Sequence, residues 1–471
     1  MKNKALSLTL LTLFATAVSG CSSLDLQEEI EEITDDRVIT KEEFTDLHAK
    51  VVKDSKYNKF KDAAAFYQYL QTYCTKKNKQ VRIWNPVVKA KARPFNVNVF
   101  FENSYSMNGY VSQADLKSSL YNMLVNVKQG ASTLNLHYIN SNVIKMPGNN
   151  IQSFSTGLSP AAFKKMGGKQ GTSDIADILK NVLSRTDQHN PSILISDFVF
   201  SPPKGKDALS YLQLQQVAVK DALVSKLTAQ NLALVIFQMK AYFQGYYYDH
   251  KLNTIPLAMD RPYYIWFIGT EDQVKEVLNR QIINQSDSHL LNQAVFKSTQ
   301  HTEPVSYKIV VNKGQIGDFT PVKSDELENA EAKKGEFGFS VAVNFRNNIR
   351  GLKFFTDPGV YQLSNPNYSL TVRPLTPIEE KTPSLSGFSH LLSLKTKRLQ
   401  KEELSIKVLD KVPSWVNSYS STDDSKIKTD QAEQAKTFGL KYLVNGVSQA
   451  FSYYPNANQN IITDIKIKIN K

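Results

Sequence analysis

Residues 97–107 read VNVFFENSYSM, and this stretch decides the fold. Its first half is apolar apart from Asn98, which is typical of a strand buried on both faces of a parallel sheet. Its second half carries Glu102, Ser104 and Ser106, whose carboxylate and hydroxyl oxygens are the ligands that hard divalent cations prefer. The stretch therefore predicts a buried strand that ends in a loop able to bind a metal ion.

Two later segments have the same character. Residues 171–174 read GTSD, where Asp174 suits the N-cap of a following helix, and residues 192–197 read SILISD, a buried strand that ends in Asp197. Between residues 95 and 285, strand patterns alternate with helical ones, which indicates an α/β doubly wound, mostly parallel sheet covered on both faces. Ligands bind outside the carboxyl ends of the strands in such sheets, so we expect the three segments to converge there.

The order and spacing of these segments resemble the von Willebrand factor type A domain and its metal-ion-dependent adhesion site. Ser104 and Ser106 match the serines of the family pattern Asp-x-Ser-x-Ser. Thr172 and Asp197 match the threonine and the second aspartate of that site. The resemblance implies a bound Mg²⁺, Ca²⁺ or Mn²⁺. Glu102 stands where the family has aspartate, which places its carboxylate about 1.5 Å farther from the backbone, so it either reaches the ion directly or distorts or abolishes the site.

A tyrosine-rich segment follows a strongly apolar strand pattern at residues 232–239. It reads YFQGYYYD at residues 242–249 and is expected to leave the sheet at the edge that carries the candidate metal site. Exposed tyrosines give large contact area at a small entropic cost, which suits a ligand surface. The alternative is an insertion with its own aromatic mini-core. The candidate ligand-binding residues are Tyr242, Tyr246, Tyr247, Tyr248 and, on the same rim, Phe198.

The N-terminus has the pattern of an export signal. A basic start is followed by an apolar stretch and then by Val-Ser-Gly-Cys, which resembles the lipobox of bacterial lipoproteins. Residues 1–20 are therefore predicted to be a signal peptide, and lipid is predicted to be attached at Cys21. The sorting pattern of bacterial lipoproteins then predicts location at the outer membrane. The acidic residues 21–45 are interpreted as a tether, and residues 46–94 as a helical segment.

After residue 300 the pattern changes to period-two runs separated by Gly, Pro and Asn, which favours antiparallel β structure. Residues 300–375 are predicted to form a β-sandwich, and residues 385–471 a second β-rich domain with a strand at residues 438–444. One larger β domain is the alternative.

Composition and charge narrow the classes of function that the chain can have. The net charge of +13 is scattered and forms no arginine-rich stripe, so we expect no nucleic-acid partner. The seven histidines are also scattered, and no known catalytic motif is present, which argues against an enzyme. The sequence predicts a lipid-anchored binding or adhesion protein of the bacterial cell envelope, with a protein or glycan partner. The alternatives are a structural envelope-assembly factor with a degenerate metal site and, third, a metal-dependent hydrolase.

Overall fold

The computed structural model describes residues 24–34, 38–39, 41–77, 79, 81–84, 95–146, 148–171, 174–284, 287–298, 302–453 and 460–471. The predicted signal peptide and Cys21 lie outside these residues. The chain divides into two compact units, residues 1–89 and 90–471. Among the described helices, none combines the length and the apolar character that crossing a bilayer requires.

The first unit is a small helical body. It contains α1 (Leu26–Ile33), α2 (Lys41–Lys53), a 3₁₀ helix (Ser55–Phe60) and α3 (Ala63–Lys76), with a two-residue parallel pairing of β1 (Val38–Ile39) and β2 (Arg82–Ile83).

Residues 26–33 of the predicted acidic tether form helix α1, which has one apolar side. Leu26 and Ile30 stand four residues apart on one face and are buried in the core of this unit. On another face, Glu31 accepts a hydrogen bond of 2.6 Å from the Tyr73 hydroxyl.

The second unit contains the remaining elements. In its described residues the helices are α4 (Asn108–Val111), α5 (Ala114–Lys128), α6 (Ile151–Gly157), α7 (Pro160–Met166), α8 (Ile175–Leu183), α9 (Ala208–Leu227), α10 (Glu271–Asn279), α11 (Trp415–Ser418), α12 (Gln431–Gln434) and α13 (Leu440–Ser452). The strands are β3 (Phe95–Glu102), β4 (Ala131–Ile139), β5 (Val143–Lys145), β6 (Ser192–Ser196), β7 (Leu232–Tyr248), β8 (Thr254–Thr270), β9 (Leu290–Lys297), β10 (Tyr307–Val310), β11 (Asp318–Lys323), β12 (Glu326–Glu331), β13 (Phe337–Val343), β14 (Tyr361–Leu363), β15 (Tyr368–Pro374), β16 (His390–Thr396), β17 (Glu402–Leu409), β18 (Ser420–Ser421), β19 (Thr437–Phe438) and β20 (Ile461–Ile469). Short 3₁₀ helices occur at Leu352–Thr356, Pro358–Val360 and Glu379–Lys381.

A seven-stranded mixed sheet with flanking helices forms the α/β layer, in the order β5-β4-β3-β6-β8-β7-β9. The expected parallel strands are found at its centre, where β3 pairs in parallel with both β4 and β6. The other four pairings are antiparallel, so the prediction of a mostly parallel sheet is wrong. Two of these pairings, β4–β5 and β7–β8, are hairpins, and strands joined by a short connection run in opposite directions.

The β part of the unit is a pair of sheets, in the orders β10-β13-β16-β15 and β11-β12-β20-β17-β14. Strands from residues 300–375 and from residues 385–471 pair directly with each other, as β13 does with β16. One buried cluster draws side chains from both sheets, including Phe339, Leu394 and Ile406. The predicted division into two β domains therefore does not match the pairing, which favours the alternative of one larger β domain.

The segment between β17 and β20 returns to the α/β layer. Its helix α13 lies along α9 so closely that a Cβ placed on Gly446 would stand 2.6 Å from the carbonyl oxygen of Gln216. Leu443 and Val447 belong to the same buried cluster as the seven-stranded sheet. The predicted strand at residues 438–444 is mostly helix, because its apolar residues follow the period of α13 rather than a period of two.

Candidate functional site

The ends of β3 and β6 place the two predicted acidic residues side by side. These strands run in parallel, with Phe101 paired to Ile195, so both end at the same edge of the sheet. Glu102 is the last residue of β3, and its carboxylate accepts a hydrogen bond from the Ser196 hydroxyl at the end of β6. Asp197 follows directly. The expectation that the first and third segments meet at the carboxyl edge therefore matches the structure.

The loop after β3 brings a serine hydroxyl to the Asp197 carboxyl. The Ser106 hydroxyl donates to that carboxyl, and the Ser104 and Ser106 oxygens lie 2.9 Å apart. The backbone N–H of Val199 donates to Asp197 Oδ1 at 3.3 Å. Glu102 and Asp197 are 1 % and 4 % exposed, so water solvates neither carboxyl well.

This burial raises the free energy of the two carboxyls in their ionised form. Burial, together with the neighbouring Glu102 carboxylate, raises the pKa of Asp197 from its ordinary value of 3.8 to about 7. The hydrogen bonds from Ser106 and Val199 act in the opposite direction, as does the charge of Arg261. A second positive charge close to the two carboxyls would relieve this cost.

Arg261 is a component of the site region that the sequence analysis missed. Its side chain is buried, and it donates to the carbonyl oxygens of Gln434 and Lys436 at 2.6 and 3.2 Å. Its guanidinium also lies 4.6 Å from the centre of the Tyr247 ring. The period of two along β8 is a signal that indicates its burial, because Arg261 falls on the inward face together with Ile255 and Leu257.

The second predicted segment approaches the site, although Thr172 itself lies outside the described residues. The Tyr105 N–H donates to the carbonyl oxygen of Gln170 at 2.9 Å. A Cβ on Gly171 would lie 3.5 Å from the Tyr105 ring. Asp174 caps α8 by accepting from the N–H of Asp177 at 3.1 Å, which confirms the capping interpretation.

The donor set suits a hard cation in its chemistry, because carboxylate and hydroxyl oxygens are the ligands that Mg²⁺ and Ca²⁺ prefer. The Ser104 and Ser106 hydroxyls are hydrogen-bonded to each other at 2.9 Å. Both polar atoms of the buried Asn103 amide lack a hydrogen-bond partner among the described residues, so the loop holds unused polar capacity. Across all the residues that the structure describes, no group of three or more His, Cys, Asp or Glu side chains could hold a metal. A cation here would therefore depend on the hydroxyls as well as the carboxyls.

The predicted aromatic surface is only partly a surface. Tyr247 is 2 % exposed and donates through its hydroxyl to Asp424 at 2.6 Å, and Phe198 is buried with its ring centre 4.7 Å from that of Trp266. Both are therefore excluded as ligand-binding residues. For Tyr247 the reason is the pleat of β7, which turns alternate side chains inward. The structure leaves Tyr242, Tyr246 and Tyr248 on the outer side and adds Tyr105, which is 47 % exposed.

Comparison of the chain with protein-family models and with curated proteins finds no match.

Proposed function

We propose that the chain is a binding protein of the bacterial cell envelope that engages a protein or glycan partner through a divalent cation. Under this proposal the α/β layer is related to the von Willebrand factor type A domain. Glu102, Ser104, Ser106 and Asp197 would hold Mg²⁺, Ca²⁺ or Mn²⁺, with Thr172 as a further hydroxyl ligand. When bound, the cation supplies positive charge to the acidic pair and a coordination position for an oxygen of the partner. Lipid attachment at Cys21 and location at the outer membrane are part of the same proposal.

The observation that carries the proposal is the adjacency of two buried carboxyls with two hydroxyls at the carboxyl edge of parallel strands. A buried pair of like charges costs free energy unless a proton or a cation compensates it. The raised pKa of Asp197 means that, without a cation, a bound proton removes one of the two charges. Oxygen ligands of this kind are what Mg²⁺, Ca²⁺ and Mn²⁺ select, whereas softer metals prefer sulfur and nitrogen.

Thermal unfolding in the presence of each cation tests the proposal. A ligand that binds only the folded state stabilises it by RT ln(1 + [L]/Kd), which is about 2.7 kcal/mol at a hundredfold excess over Kd. We expect Mg²⁺, Mn²⁺ or Ca²⁺ to raise Tm relative to chelator, and we expect Ser106→Ala and Asp197→Asn to abolish the rise. Asp424→Asn is the matched control, because Asp424 is also a buried aspartate but lies outside the cluster. A Tm that none of the three cations changes would refute cation binding.

One observation favours a second candidate, a structural assembly factor with a degenerate metal site. Arg261 already contributes positive charge near Asp197, and Ser196 already occupies an oxygen of Glu102. If these two groups suffice, the α/β layer serves as a scaffold and partners dock elsewhere. A double variant, Ser106→Ala with Asp197→Asn, that captures its envelope partner as well as the unaltered protein does would decide for the scaffold.

A further inference from the structure

The β7–β8 hairpin extends far beyond the sheet to which it belongs. The last pairing of β9 with β7 joins Leu290 to Met239, and the last pairing of β6 with β8 joins Ser196 to Tyr264. Residues 240–248 and 254–262 continue past these points as a two-stranded ribbon, which we call the hairpin arm.

An isolated two-stranded ribbon is marginally stable in water, so the arm needs packing on at least one face. Its inner face has this packing. Phe243 lies against Gly109 so closely that a Cβ there would stand 2.3 Å from the ring. Tyr247 and Arg261 are buried on the same face. On the outer face, Tyr242 and Tyr246 are exposed to solvent.

The outer face combines large residues on one strand with smaller ones on the other. Its cross-strand pairs are Tyr242–Asp260, Gln244–Ala258, Tyr246–Pro256 and Tyr248–Thr254. The tyrosines therefore stand in one row on β7, beside the smaller side chains of β8. The row continues onto the candidate site, because the ring centres of Tyr248 and Tyr105 are 6.4 Å apart.

The chemistry of this outer face is aromatic and neutral. Tyr246 is 59 % exposed, and the Gln244 amide between the rings accepts a hydrogen bond from Gln113 at 3.3 Å. Asp260 is the charged residue of the four cross-strand pairs. Its Oδ2 atom lies 3.6 Å from Nζ of Lys240, which balances the charge. A surface of this kind offers ring faces to apolar C–H groups and amide and phenol groups to hydroxyls, without net charge to attract an ionic partner.

We propose that the outer face of the hairpin arm binds a neutral glycan chain, whose sugar rings lie along the tyrosine row. A glycan presents the matching combination of flat C–H faces and a rim of hydroxyls. This inference rests on the proposed binding function only in taking a glycan as the partner. The tyrosine row is a second contact beside the cation site, and this contact forms without the cation.

Calorimetric titration with neutral hexasaccharides, namely cellohexaose, maltohexaose and chitohexaose, tests the proposal on the full chain in chelator. We expect saturable binding of at least one of them. Loss of one aromatic contact is expected to weaken Kd by about two- to tenfold, so Tyr246→Ala and Tyr242→Ala should each show that loss. Tyr453→Ala is the matched control, because Tyr453 is also 59 % exposed but follows α13.

Absence of saturable binding by all three sugars at about 10 mM would overturn the proposal. Equal affinity of the Tyr246→Ala and Tyr453→Ala variants would also overturn it, as would binding of unstructured peptides, lost on Tyr246→Ala, in place of the sugars. The two proposals fail separately. A protein that binds a hexasaccharide in chelator but shows no cation-dependent Tm refutes only the metal site, and the reverse result refutes only glycan binding by the hairpin arm.

Discussion

Replacing Asp197 with asparagine should stabilise the cation-free protein at alkaline pH. The substitution keeps an oxygen that can accept from the Val199 N–H, and it removes the charge that burial and Glu102 oppose. Most substitutions of a buried, hydrogen-bonded residue destabilise a protein, so a gain in stability here would be specific to the electrostatic argument.

The magnitude follows from the pKa. A rise from 3.8 to about 7 corresponds to about 4 kcal/mol, at 1.36 kcal/mol per unit. Because the folded-state pKa lies above the unfolded one, the folded protein holds the proton more tightly. The stabilisation is fully present below the unfolded pKa and is lost as pH rises through about 7. The free energy of unfolding of the variant minus that of the unaltered protein should therefore increase by about 3 kcal/mol between pH 5 and pH 8.

Urea unfolding in chelator, followed through tryptophan fluorescence, measures this difference. Trp266 is buried beside Phe198 and reports on the site region. Asp249→Asn is the control, because Asp249 is also a buried aspartate but accepts from the backbone N–H groups of Lys251 and Asn253. Its difference from the unaltered protein should not follow the titration of Asp197. A difference for Asp197→Asn that stays constant from pH 5 to pH 8 would refute the description of the buried acidic pair.

Two further predictions concern the hairpin arm. Gly109→Ala should destabilise the protein by about 1–3 kcal/mol, because the new Cβ would stand 2.3 Å from the Phe243 ring. Gly157→Ala has no atom within 4 Å of its new Cβ and is the control in the same urea assay, where equal effects of the two would contradict the packing. Asp424→Asn should cost about 1–3 kcal/mol, because the carboxylate accepts from both the backbone N–H and Nδ1 of His250, at 3.0 and 2.5 Å. Amide hydrogen exchange at the tip of the arm should become faster in this variant, and unchanged exchange rates would contradict the role of Asp424.

Local sequence pattern was sufficient for the centre of the sheet. The strands β3 and β6 are short apolar runs bounded by polar residues, and their parallel pairing followed from the alternation of strands with helices. The direction of β7 and β8 could not be read in the same way. Residues 240–262 are rich in tyrosine and contain Gly245 and Pro256, which weaken a strand pattern, yet they continue both strands of the hairpin.

Long-range contacts explain the other differences. Arg261 is held by carbonyl groups of Gln434 and Lys436, more than 170 positions later in the chain, and no local pattern predicts such a partner. The burial of Tyr247 has the same origin, because its hydroxyl bonds to Asp424. In contrast, the meeting of Glu102 with Asp197 depends only on two adjacent strand ends.

Diffraction from crystals soaked in Mn²⁺ tests the cation site most directly, because the anomalous signal locates the ion independently of any effect on stability. The proposal predicts one strong peak within about 2.6 Å of the Ser104 or Ser106 hydroxyl oxygen and beside the Asp197 carboxyl. A map in which the acidic pair carries no peak, while Mn²⁺ is present at millimolar concentration, would contradict it.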